Sequence, residues 1–385
     1  MECTFYLAEG CNLQCKYCYE GMHKKSGMMD NGIVEQALEF LVKNVSDGEK
    51  IQLILLGGEP LLNKAAFFHI INTIHNKYAN IHDKFSIEMT TNGILLDESI
   101  MRAVKDEKIN LSISIDGSKE STEINRKSID GDDKYPIIMR NINRMIGMEV
   151  PFNVRMTVSN NNVMQLYNNV VFFLSMGIQR IYIAFNYYAD WTENELFILD
   201  KQMQKLDELY LNKIANTENG ILNLYDFKYT TFFLKRPIEF CSAGSKGHFV
   251  VNSTGDIFPC NYVVNRESWS IGNLNDGIDE YIFKERIKKH VKKEFPCKLC
   301  EIAFTCLATR CGFLNYRTTG LLNQPGEISC RLERILYEHD LRVFQELYNR
   351  RAPRIMKYID IVKEYGIEPN ECVKNMFIQE EIQCI

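Results

Sequence analysis

The cysteines of this chain are the feature that most constrains how it can fold. Three of the thirteen, Cys11, Cys15 and Cys18, stand within eight residues, and seven more lie between residues 241 and 330. The segment around the second group has few long apolar elements, so bound metal is expected to hold its loops together. Three closely spaced thiols fall one short of the four ligands that structural zinc or an iron–sulfur cluster normally takes. The first group therefore predicts either a fourth ligand from elsewhere or a metal position left open for another molecule.

Charge and hydropathy limit the cellular location and the kinds of partner that this chain can have. No apolar run approaches the roughly 18 residues that span a membrane, and the N-terminal residues have no basic region like that of a signal peptide. The chain is therefore predicted to be cytoplasmic, where thiols serve metals or catalysis more than disulfides. A formal net charge of −5 argues against a broad nucleic-acid or membrane-binding surface. The basic run at residues 284–293 is predicted to be a solvated helix face.

The N-terminal half alternates between two kinds of segment. Apolar runs rich in β-branched and aromatic residues predict buried parallel strands, at residues 4–8, 51–56, 85–89, 111–115, 152–158 and 180–185. Amphipathic segments lie between them, with two apolar helix faces made by Ile33, Ala37, Leu38, Leu41 and Val45 and by Val163, Leu166, Val170, Val171 and Leu174. Successive β–α units imply right-handed crossovers, in an open doubly wound sheet or a barrel-like curved sheet. The predicted fold class is therefore α/β.

The C-terminal half is predicted to be less regular. A long helix is expected over residues 193–216 and an irregular connector over residues 220–236. Short strands are expected at His248–Val251 and Asp256–Phe258, within the cysteine-rich part. A helical tail is expected from residue 331 to residue 366, interrupted near Pro353.

The spacing Cys11-x3-Cys15-x2-Cys18, with Tyr17 before the last cysteine, is similar to the defining motif of the radical S-adenosylmethionine (SAM) superfamily. The resemblance implies a partial (β/α)6 barrel with a catalytic [4Fe–4S] cluster on these three cysteines, whose remaining iron chelates SAM. The motif follows the first predicted strand, and loops at the C-terminal ends of barrel strands are where such folds place their chemistry. A structural zinc site and buried thiols without a ligand are the alternatives.

A second part of the resemblance lies after the second predicted strand. Gly57, Gly58, Glu59 and Pro60 resemble the superfamily motif that receives the methionine amino group of SAM. A carboxylate suits an ammonium group, and glycines let the backbone approach closely. A tight turn without a ligand is the alternative.

Residues after two further strands also match. The resemblance implies that Ser114 contacts the ribose of SAM and that Arg126 pairs with the methionine carboxylate, which a guanidinium binds bidentately. Thr91 and Asn92, at the end of the third strand, are expected to support these contacts.

The seven C-terminal cysteines resemble the SPASM extension, which carries two auxiliary [4Fe–4S] clusters in enzymes that modify peptides or proteins. The resemblance divides them into an outer set and an inner set, which are Cys297, Cys300, Cys306 and Cys330, and Cys241, Cys260 and Cys311. Zinc ribbons share the Cys-x2-Cys element but would leave three thiols unused. Three clusters are therefore expected in all. The predicted domains are a radical SAM domain over residues 1–236, a SPASM domain over 237–335 and a tail over 336–385.

The inner set lacks a fourth ligand. Sulfatase-maturing enzymes supply it six residues after the first cysteine of the array, where this chain has Gly247. An open iron can hold and deprotonate a substrate thiol, as in enzymes that build thioether bridges in ribosomal peptides. The alternatives are a ligand from elsewhere, such as Cys3, Cys372 or Cys384, and a cluster that only relays electrons.

Asn261 decides the order of the functional hypotheses. It follows Cys260, where sulfatase-maturing enzymes have a catalytic aspartate, and an amide cannot take up a proton as a carboxylate does. The main prediction is a radical SAM oxidoreductase that abstracts hydrogen from a peptide residue through a 5′-deoxyadenosyl radical and installs thioether cross-links in a ribosomally made, cysteine-containing peptide. Sulfatase maturation by formylglycine synthesis, peptide epimerisation and carbon–carbon cross-linking are the alternatives.

The expected partners follow from this chemistry. They are the precursor peptide and a flavodoxin- or ferredoxin-type electron donor. Because Cys11 stands so near the start of the sequence, the peptide is expected to bind the barrel face, the C-terminal helices or a separate leader-binding protein.

Overall fold

The structure, a computed structural model, describes residues 1–21, 27–234, 241–287 and 296–357. It divides into two compact units that alternate along the chain, Met1–Arg155 with Ser242–Lys292 and Met156–Cys241 with Lys293–Ile385. The domain boundaries expected at residues 236 and 335 stay predictions. The basic run from residue 288, the tail beyond residue 357, Cys372 and Cys384 lie outside the described residues.

The first unit is a sheet with helices on its crossovers. Its strands are β1 (Glu2–Ala8), β2 (Leu13–Cys15), β3 (Ile51–Gly57), β4 (Phe85–Thr91), β5 (Asn110–Ser114), β6 (Arg126–Ser128), the first part of β7 (Asn153–Val158), β10 (His248–Val251), β11 (Asp256–Phe258), β12 (Gly272–Asn273) and β13 (Gly277–Ile278). Its helices are α1 (Asn31–Asn44), α2 (Lys64–Lys77), α3 (Glu98–Asp106), α4 (Lys119–Asn125), α5 (Tyr135–Gly147) and α10 (Glu280–Ile282), with short 3-10 turns at Pro60–Asn63, Ala79–Lys84, Asn261–Val263 and Glu267–Trp269 and a π-helical turn at Phe283–Ile287.

Strand order in this unit is β13-β12-β11-β10-β1-β3-β4-β5-β7. Neighbouring strands run parallel from β10 to β7, and the pairs from β10 to β13 are antiparallel. A parallel strand covered on both faces needs apolar side chains on both, and six of the seven residues of β1 are buried. The predicted α/β class is confirmed, and the six predicted N-terminal strands and the two short C-terminal ones are present.

The two predicted amphipathic helices are present, but the residues that each helix buries differ in part from those predicted. Helix α1 buries Val34 with Ala37, Leu38 and Leu41 and ends at Asn44, so Ile33 is only half-buried and Val45 is its C-cap. The segment that begins at Val163 buries Leu166, Val170 and Phe173, whereas Val171 is exposed. A 100° step per residue lets neighbouring apolar residues compete for the same face, so composition alone does not fix which of them is buried.

The second unit is mainly helical. Its elements are α6 (Leu166–Ser175), β8 (Arg180–Phe185), α7 (Glu193–Asn212), β9 (Ile221–Leu222), α8 (Asn223–Asp226), α9 (Tyr229–Leu234), α11 (Leu307–Arg310), α12 (Gly312–Thr319) and α13 (Glu327–Asn349), with 3-10 turns at Val163–Gln165, Ile214–Asn216 and Pro296–Leu299. Strand β9 pairs in parallel with β8.

Three expectations for this unit are corrected. Helix α7 starts with a Thr192–Glu195 capping box and ends at Asn212, four residues early, because a 3-10 turn follows. The connector expected to be irregular contains β9, α8 and α9. Helix α13 begins at Glu327, so Cys330 lies in its first turn rather than before it. None of the described helices is both long and apolar enough to cross a membrane.

Candidate functional site

The first three cysteines lie on a loop that a small ribbon fixes in place. After β1 the chain forms β2, which pairs with β6 so that Cys15 stands opposite Arg126. The Lys16 N–H donates to the Asn125 carbonyl at 2.9 Å, and the Leu13 N–H points at Cys11 Sγ, 3.4 Å away. The loop therefore has a defined backbone that presents its thiols beyond the C-terminal end of β1.

The spacing of the thiols separates two kinds of metal site. Tetrahedral zinc bound by thiolates at about 2.3 Å brings its sulfurs to about 4 Å from one another. Among the described residues, no three cysteine sulfurs lie within 4.8 Å of one another. A four-iron cluster binds its thiolates on different irons and accepts sulfurs that lie farther apart than those around one zinc ion.

Burial sets the protonation state of these thiols in the free chain. It raises the pKa of Cys11 to about 12 and that of Cys15 to about 11, although the Arg126 guanidinium favours the Cys15 thiolate. It also raises the pKa of Cys18. Because iron binds thiolates, loading this loop must release protons, as at other cysteine metal sites.

Gly57 and Gly58 bring the end of β3 against the cysteine loop. The Gly58 N–H donates to the Ala8 carbonyl and the Glu59 N–H to the Gly10 carbonyl, both at 2.9 Å. A Cβ on Gly57 would lie 2.0 Å from the Ala8 oxygen, and one on Gly58 would lie 2.3 Å from the Gly10 oxygen. The two glycines are needed for this backbone-to-backbone approach, and Pro60 then starts the turn that leads into α2.

Glu59 joins three strand ends into one polar network. Its buried carboxylate accepts from Leu61 N–H at 3.1 Å, from Thr91 Oγ1 at 2.6 Å and from Asn92 N–H at 2.8 Å. The Asn92 amide nitrogen lies 3.8 Å from Cys11 Sγ. Burial raises the pKa of Glu59, and the three donors oppose that rise. Glu59, Thr91 and Asn92 thus converge beside the first cysteine, and their contact with SAM stays a prediction.

Arg126 has a partner that the sequence analysis did not single out. Asp116, which is fully buried, lies 3.1 Å from Arg126 Nε and accepts a 2.6 Å hydrogen bond from the Tyr17 hydroxyl. The guanidinium also lies 5.3 Å from the Tyr17 ring centroid, and its Nη1 is 4.0 Å from Cys15 Sγ. Ser114 ends β5, two residues before Asp116, and is half-buried. The motif Ser114-Ile115-Asp116-Gly117 was the available signal for Asp116, since a charged residue after an apolar strand needs a partner.

A second polar group adjoins Cys18 within the same unit. The buried Tyr6 hydroxyl donates to Glu20 Oε1 at 2.6 Å, and the Tyr19 ring meets the Tyr262 ring edge-on at 5.1 Å. Burial raises the pKa of Tyr19, and the nearby Glu20, Cys18 and Cys260 charges add to the rise. Tyr19 therefore lies near both a cysteine of the first group and one of the second.

The predicted inner set is divided between the two compact units. Cys260 belongs to the first unit, where the buried Asn261 Oδ1 finds no hydrogen-bond donor among the described residues. Cys241 and Cys311 belong to the second unit, where the Cys241 N–H donates to the Arg310 carbonyl at 3.0 Å. Burial raises the pKa of Cys311 to about 11, and the nearby Cys241 adds to it. Cys3, a proposed fourth ligand, is buried within β1.

The predicted outer set lies together in the second unit. The Cys300 N–H donates to the Cys297 carbonyl at 3.2 Å, and both cysteines act electrostatically on Cys330. Cys306 packs with Ile302 and Ala308, and burial raises its pKa to about 12.

Glu333 supports this outer set from helix α13. Its carboxylate accepts from the Leu307 N–H, directly after Cys306, at 2.8 Å and from the Tyr187 hydroxyl at 2.6 Å. Lys228 Nζ lies 3.8 Å from the same carboxylate. Because Cys330 lies one turn earlier on the same helix, Glu333 connects the Cys306 loop to the Cys330 helix.

Comparisons with known proteins agree with this arrangement. The profile of the radical SAM superfamily matches residues 5–166, and that of the SPASM iron-sulfur cluster-binding domain matches residues 241–306. The chain therefore carries a radical SAM domain followed by a SPASM domain.

Particular relatives share most of the chain. A cysteine-type anaerobic sulfatase-maturating enzyme of Clostridium perfringens (strain 13 / Type A) is 26% identical over 323 residues, covering 76% of this chain and 84% of that enzyme. The solved structure of native anSMEcpe with bound AdoMet and Cp18Cys peptide matches with a TM-score of 0.75 and 23% identity, over 90% of this chain and 99% of that chain. Streptococcus suis SuiB bound to precursor peptide SuiA matches with a TM-score of 0.58 and 14% identity, over 85% of this chain and 75% of that chain. The likeness to these structures shows a shared fold.

Proposed function

We propose that this protein uses SAM and iron–sulfur clusters to oxidise a residue of a peptide or protein substrate. The observation that carries the proposal is the convergence, beyond the strand ends, of three thiols with the Glu59–Asn92 network and the Arg126–Asp116 pair. When bound, the cluster and SAM supply the radical that takes a hydrogen atom from the substrate. The protein holds these groups in place and keeps water away from them.

The roles of individual residues follow from their positions. Cys11, Cys15 and Cys18 are the proposed cluster ligands. Arg126 is the proposed partner of the methionine carboxylate, because its guanidinium lies beside Cys15 and carries five N–H donors in a planar fork that suits a carboxylate. The Gly57–Pro60 segment, Thr91, Asn92 and Ser114 complete the proposed SAM site, and Tyr17 anchors Asp116.

The proposed reaction is sulfatase maturation, the activity in the relatives' names, by oxidation of a cysteine or serine side chain to formylglycine. It supplants thioether formation as the first hypothesis, because the sulfatase-maturating relative aligns over most of both chains. In the cysteine case, water supplies the aldehyde oxygen and sulfur leaves as hydrogen sulfide. Two electrons and two protons leave the substrate. One of each leaves as the hydrogen atom that ends on 5′-deoxyadenosine, and an auxiliary cluster would accept the second electron while the second proton passes to solvent.

Asn261 favours a second candidate, thioether formation in a ribosomal peptide. Its amide oxygen is buried next to Cys260 and cannot take up the proton that aldehyde formation releases. In thioether formation a new sulfur–carbon bond replaces an S–H and a C–H bond, again with loss of two electrons and two protons. The substrate thiol would take the open position of the inner cluster, for which the resemblance to the SPASM extension implies only three ligands, Cys241, Cys260 and Cys311.

Product mass distinguishes the two reactions. We would incubate the anaerobically purified protein with SAM, a chemical reductant and either the Cp18Cys peptide or a cysteine-rich peptide encoded beside the gene. Replacement of sulfur by oxygen together with loss of two hydrogens in Cp18Cys supports formylglycine synthesis, and loss of two hydrogens alone from the encoded peptide supports thioether formation. Asn261→Asp should increase aldehyde formation in the first case, with Asn261→Ala as control. Unchanged peptides in both incubations would contradict the proposal.

The cluster count has its own test. Three four-iron clusters predict about twelve irons per chain, and a far lower iron and sulfide content would contradict the three-cluster proposal. Replacing Cys11, Cys15 and Cys18 together by Ala should abolish 5′-deoxyadenosine formation and leave the auxiliary clusters. A flavodoxin- or ferredoxin-type donor, a cytoplasmic location and a separate leader-binding protein belong to the same proposal.

A further inference from the structure

Two histidines and a carboxylate converge on the first unit at the opposite end of the sheet from the cysteine loop. His75 lies in the last turn of α2, His82 in the 3-10 turn that follows, and Glu107 at the C-cap of α3. Helices α2 and α3 end here, and β4 starts here, whereas Glu59 and Asn92 lie at the other ends of the same crossovers. This group is therefore separate from the proposed active site.

The ligand atoms of these three residues all lie within 4.8 Å of one another. His75 Nε2 is 2.9 Å and His82 Nε2 is 3.8 Å from the same atom, Glu107 Oε2. Ligands about 2.1 Å from one metal ion stand about 3 Å apart at a right angle and about 3.4 Å apart in a tetrahedron. The two measured distances bracket these values, so one ion fits between the three groups with little movement.

Hydrogen bonding accounts for only part of this geometry. The His75–Glu107 contact has hydrogen-bond length, but 3.8 Å is too long for one between His82 and Glu107. The two imidazole rings nevertheless lie 4.5 Å apart and tilted by 31°, with both Nε2 atoms towards one oxygen. A metal ion bound to all three side chains would explain why His82 Nε2 is oriented towards the Glu107 carboxylate at a distance too long for a hydrogen bond.

The surroundings favour a cation. The C-terminal ends of α2 and α3 both face the group, and helix C-termini carry partial negative charge. Two lysines of the same helices are paired elsewhere, Lys77 with Glu39 and Lys105 with the Met148 carbonyl. The backbone is also fixed, because Tyr78 is largely buried and packs against Phe85.

We propose that His75, His82 and Glu107 form a binding site for a divalent transition metal ion, with zinc as the physiological class of ligand. Two imidazoles and one carboxylate are a donor set that zinc accepts, with its remaining positions filled by water. The ion would join the ends of two consecutive crossovers, and its role is structural, since the N-terminal side of such sheets serves stability.

The test measures zinc binding to the tag-free protein with its clusters loaded. We expect one zinc ion per chain by calorimetric titration against a competing chelator, and a rise in melting temperature on adding zinc. The double substitution His75→Ala and His82→Ala should weaken this binding by about tenfold or more and abolish the rise. Glu107→Gln, which keeps a hydrogen-bonding group, should weaken binding in the same direction.

His69→Ala is the matched control. His69 is also on α2 and also lies 2.9 Å from a glutamate, Glu35, but no second histidine from the described part of the chain joins that pair. The control should bind zinc like the unchanged protein. Equal zinc binding in the double variant, or an equal loss in His69→Ala, would overturn the proposal. All of these side chains are partly exposed, so their removal leaves the core intact.

Discussion

At the scale of single residues, Asp116 is central to the proposed SAM site. It holds the guanidinium of Arg126 and the hydroxyl of Tyr17 at once, and it is fully buried. A buried charge that loses its partner costs several kcal/mol, whereas a lost neutral hydrogen bond costs about 1 kcal/mol. The contact of Asp116 with Arg126 should therefore contribute more free energy than its contact with Tyr17, and two substitutions test this.

Asp116→Asn is expected to weaken SAM binding by about tenfold or more, because Arg126 loses the charge that fixes its orientation. Tyr17→Phe removes one hydrogen bond and should weaken binding less. Equilibrium dialysis of SAM against the cluster-loaded variants measures both effects. Equal affinities in the unchanged protein and Asp116→Asn would show that Arg126 does not depend on Asp116.

Asp340 gives a residue-scale prediction about pH. It is buried in α13, and its Oδ1 has no hydrogen-bond donor among the described residues. Burial raises the pKa of Asp340 to about 8; Lys228 opposes the rise and Glu333 adds to it. Between its ordinary pKa and this value, the folded protein holds a proton that the unfolded chain has released. The free energy of unfolding therefore falls as pH rises through this window, by at most about 1.4 kcal/mol per pH unit.

Asp340→Asn should reduce this loss, because the amide stays neutral in both states. Urea unfolding of both proteins at about pH 5 and about pH 8 measures the difference. The unchanged protein should lose more stability between the two values than the variant does. Glu338→Gln, at an exposed position of the same helix, is the control and should follow the unchanged protein. If Asp340→Asn and the unchanged protein lose the same stability between the two pH values, Asp340 is already ionised in the folded protein, and the prediction is wrong.

At the scale of elements, helix α13 organises the proposed outer cluster. It supplies Cys330 and, one turn later, Glu333, which accepts the N–H of the residue after Cys306. A hydrogen bond to a charged group is worth about 1.5–3 kcal/mol. Its loss should loosen the Cys306 loop without removing any thiol.

Glu333→Gln is expected to lower the iron content by up to about four atoms per chain, the content of one cluster. Glutamine is neutral, and one end of its side-chain amide is an NH2 group that cannot accept a hydrogen bond. The hydrogen bond from the Leu307 N–H should therefore be weaker than it is with the Glu333 carboxylate. Iron analysis and electron paramagnetic resonance of the reduced protein measure the loss. Glu338→Gln should keep the full iron content. Full iron content in both variants would show that the Cys306 loop does not need the Glu333 hydrogen bond to bind its cluster.

The same helix shows what the sequence could and could not give. Strand positions were predictable, because buried parallel strands need continuous apolar runs. The assignment of the cysteines to clusters stays a prediction that rests on their spacing. The start of α13 was missed because Glu327 and Ser329 carry no apolar periodicity. Asp116 and Glu333 were missed as site residues because their partners, Arg126 and Leu307, come close only through tertiary packing. Local patterns predict elements, and contacts between distant residues require the fold.

At the scale of the molecule, the chain leaves the first unit at β7 and returns to it at Ser242. On its return, β10 pairs in parallel with β1, so that Glu2 stands opposite His248 and Phe5 opposite Val251. Tyr6 from β1 packs with Val250 and Phe258 in one buried cluster. The first strand of the radical SAM domain therefore takes part of its core from the segment that was expected to belong to a separate SPASM domain.

A chain that ends at residue 236 is thus expected not to fold stably, although it contains the whole predicted radical SAM domain. Losing β10 leaves the backbone of β1 unpaired on one side, and an open apolar strand edge promotes aggregation. It also exposes the apolar face that Val250 and Phe258 cover. Solubility, far-ultraviolet circular dichroism and a thermal melt measure the outcome. In the full-length chain, Val250→Asp should lower the melting temperature by several degrees, whereas Asn275→Asp, at the exposed β12–β13 turn, should leave it nearly unchanged. A soluble truncated chain that melts cooperatively and binds SAM would show that residues 1–236 form a domain on their own.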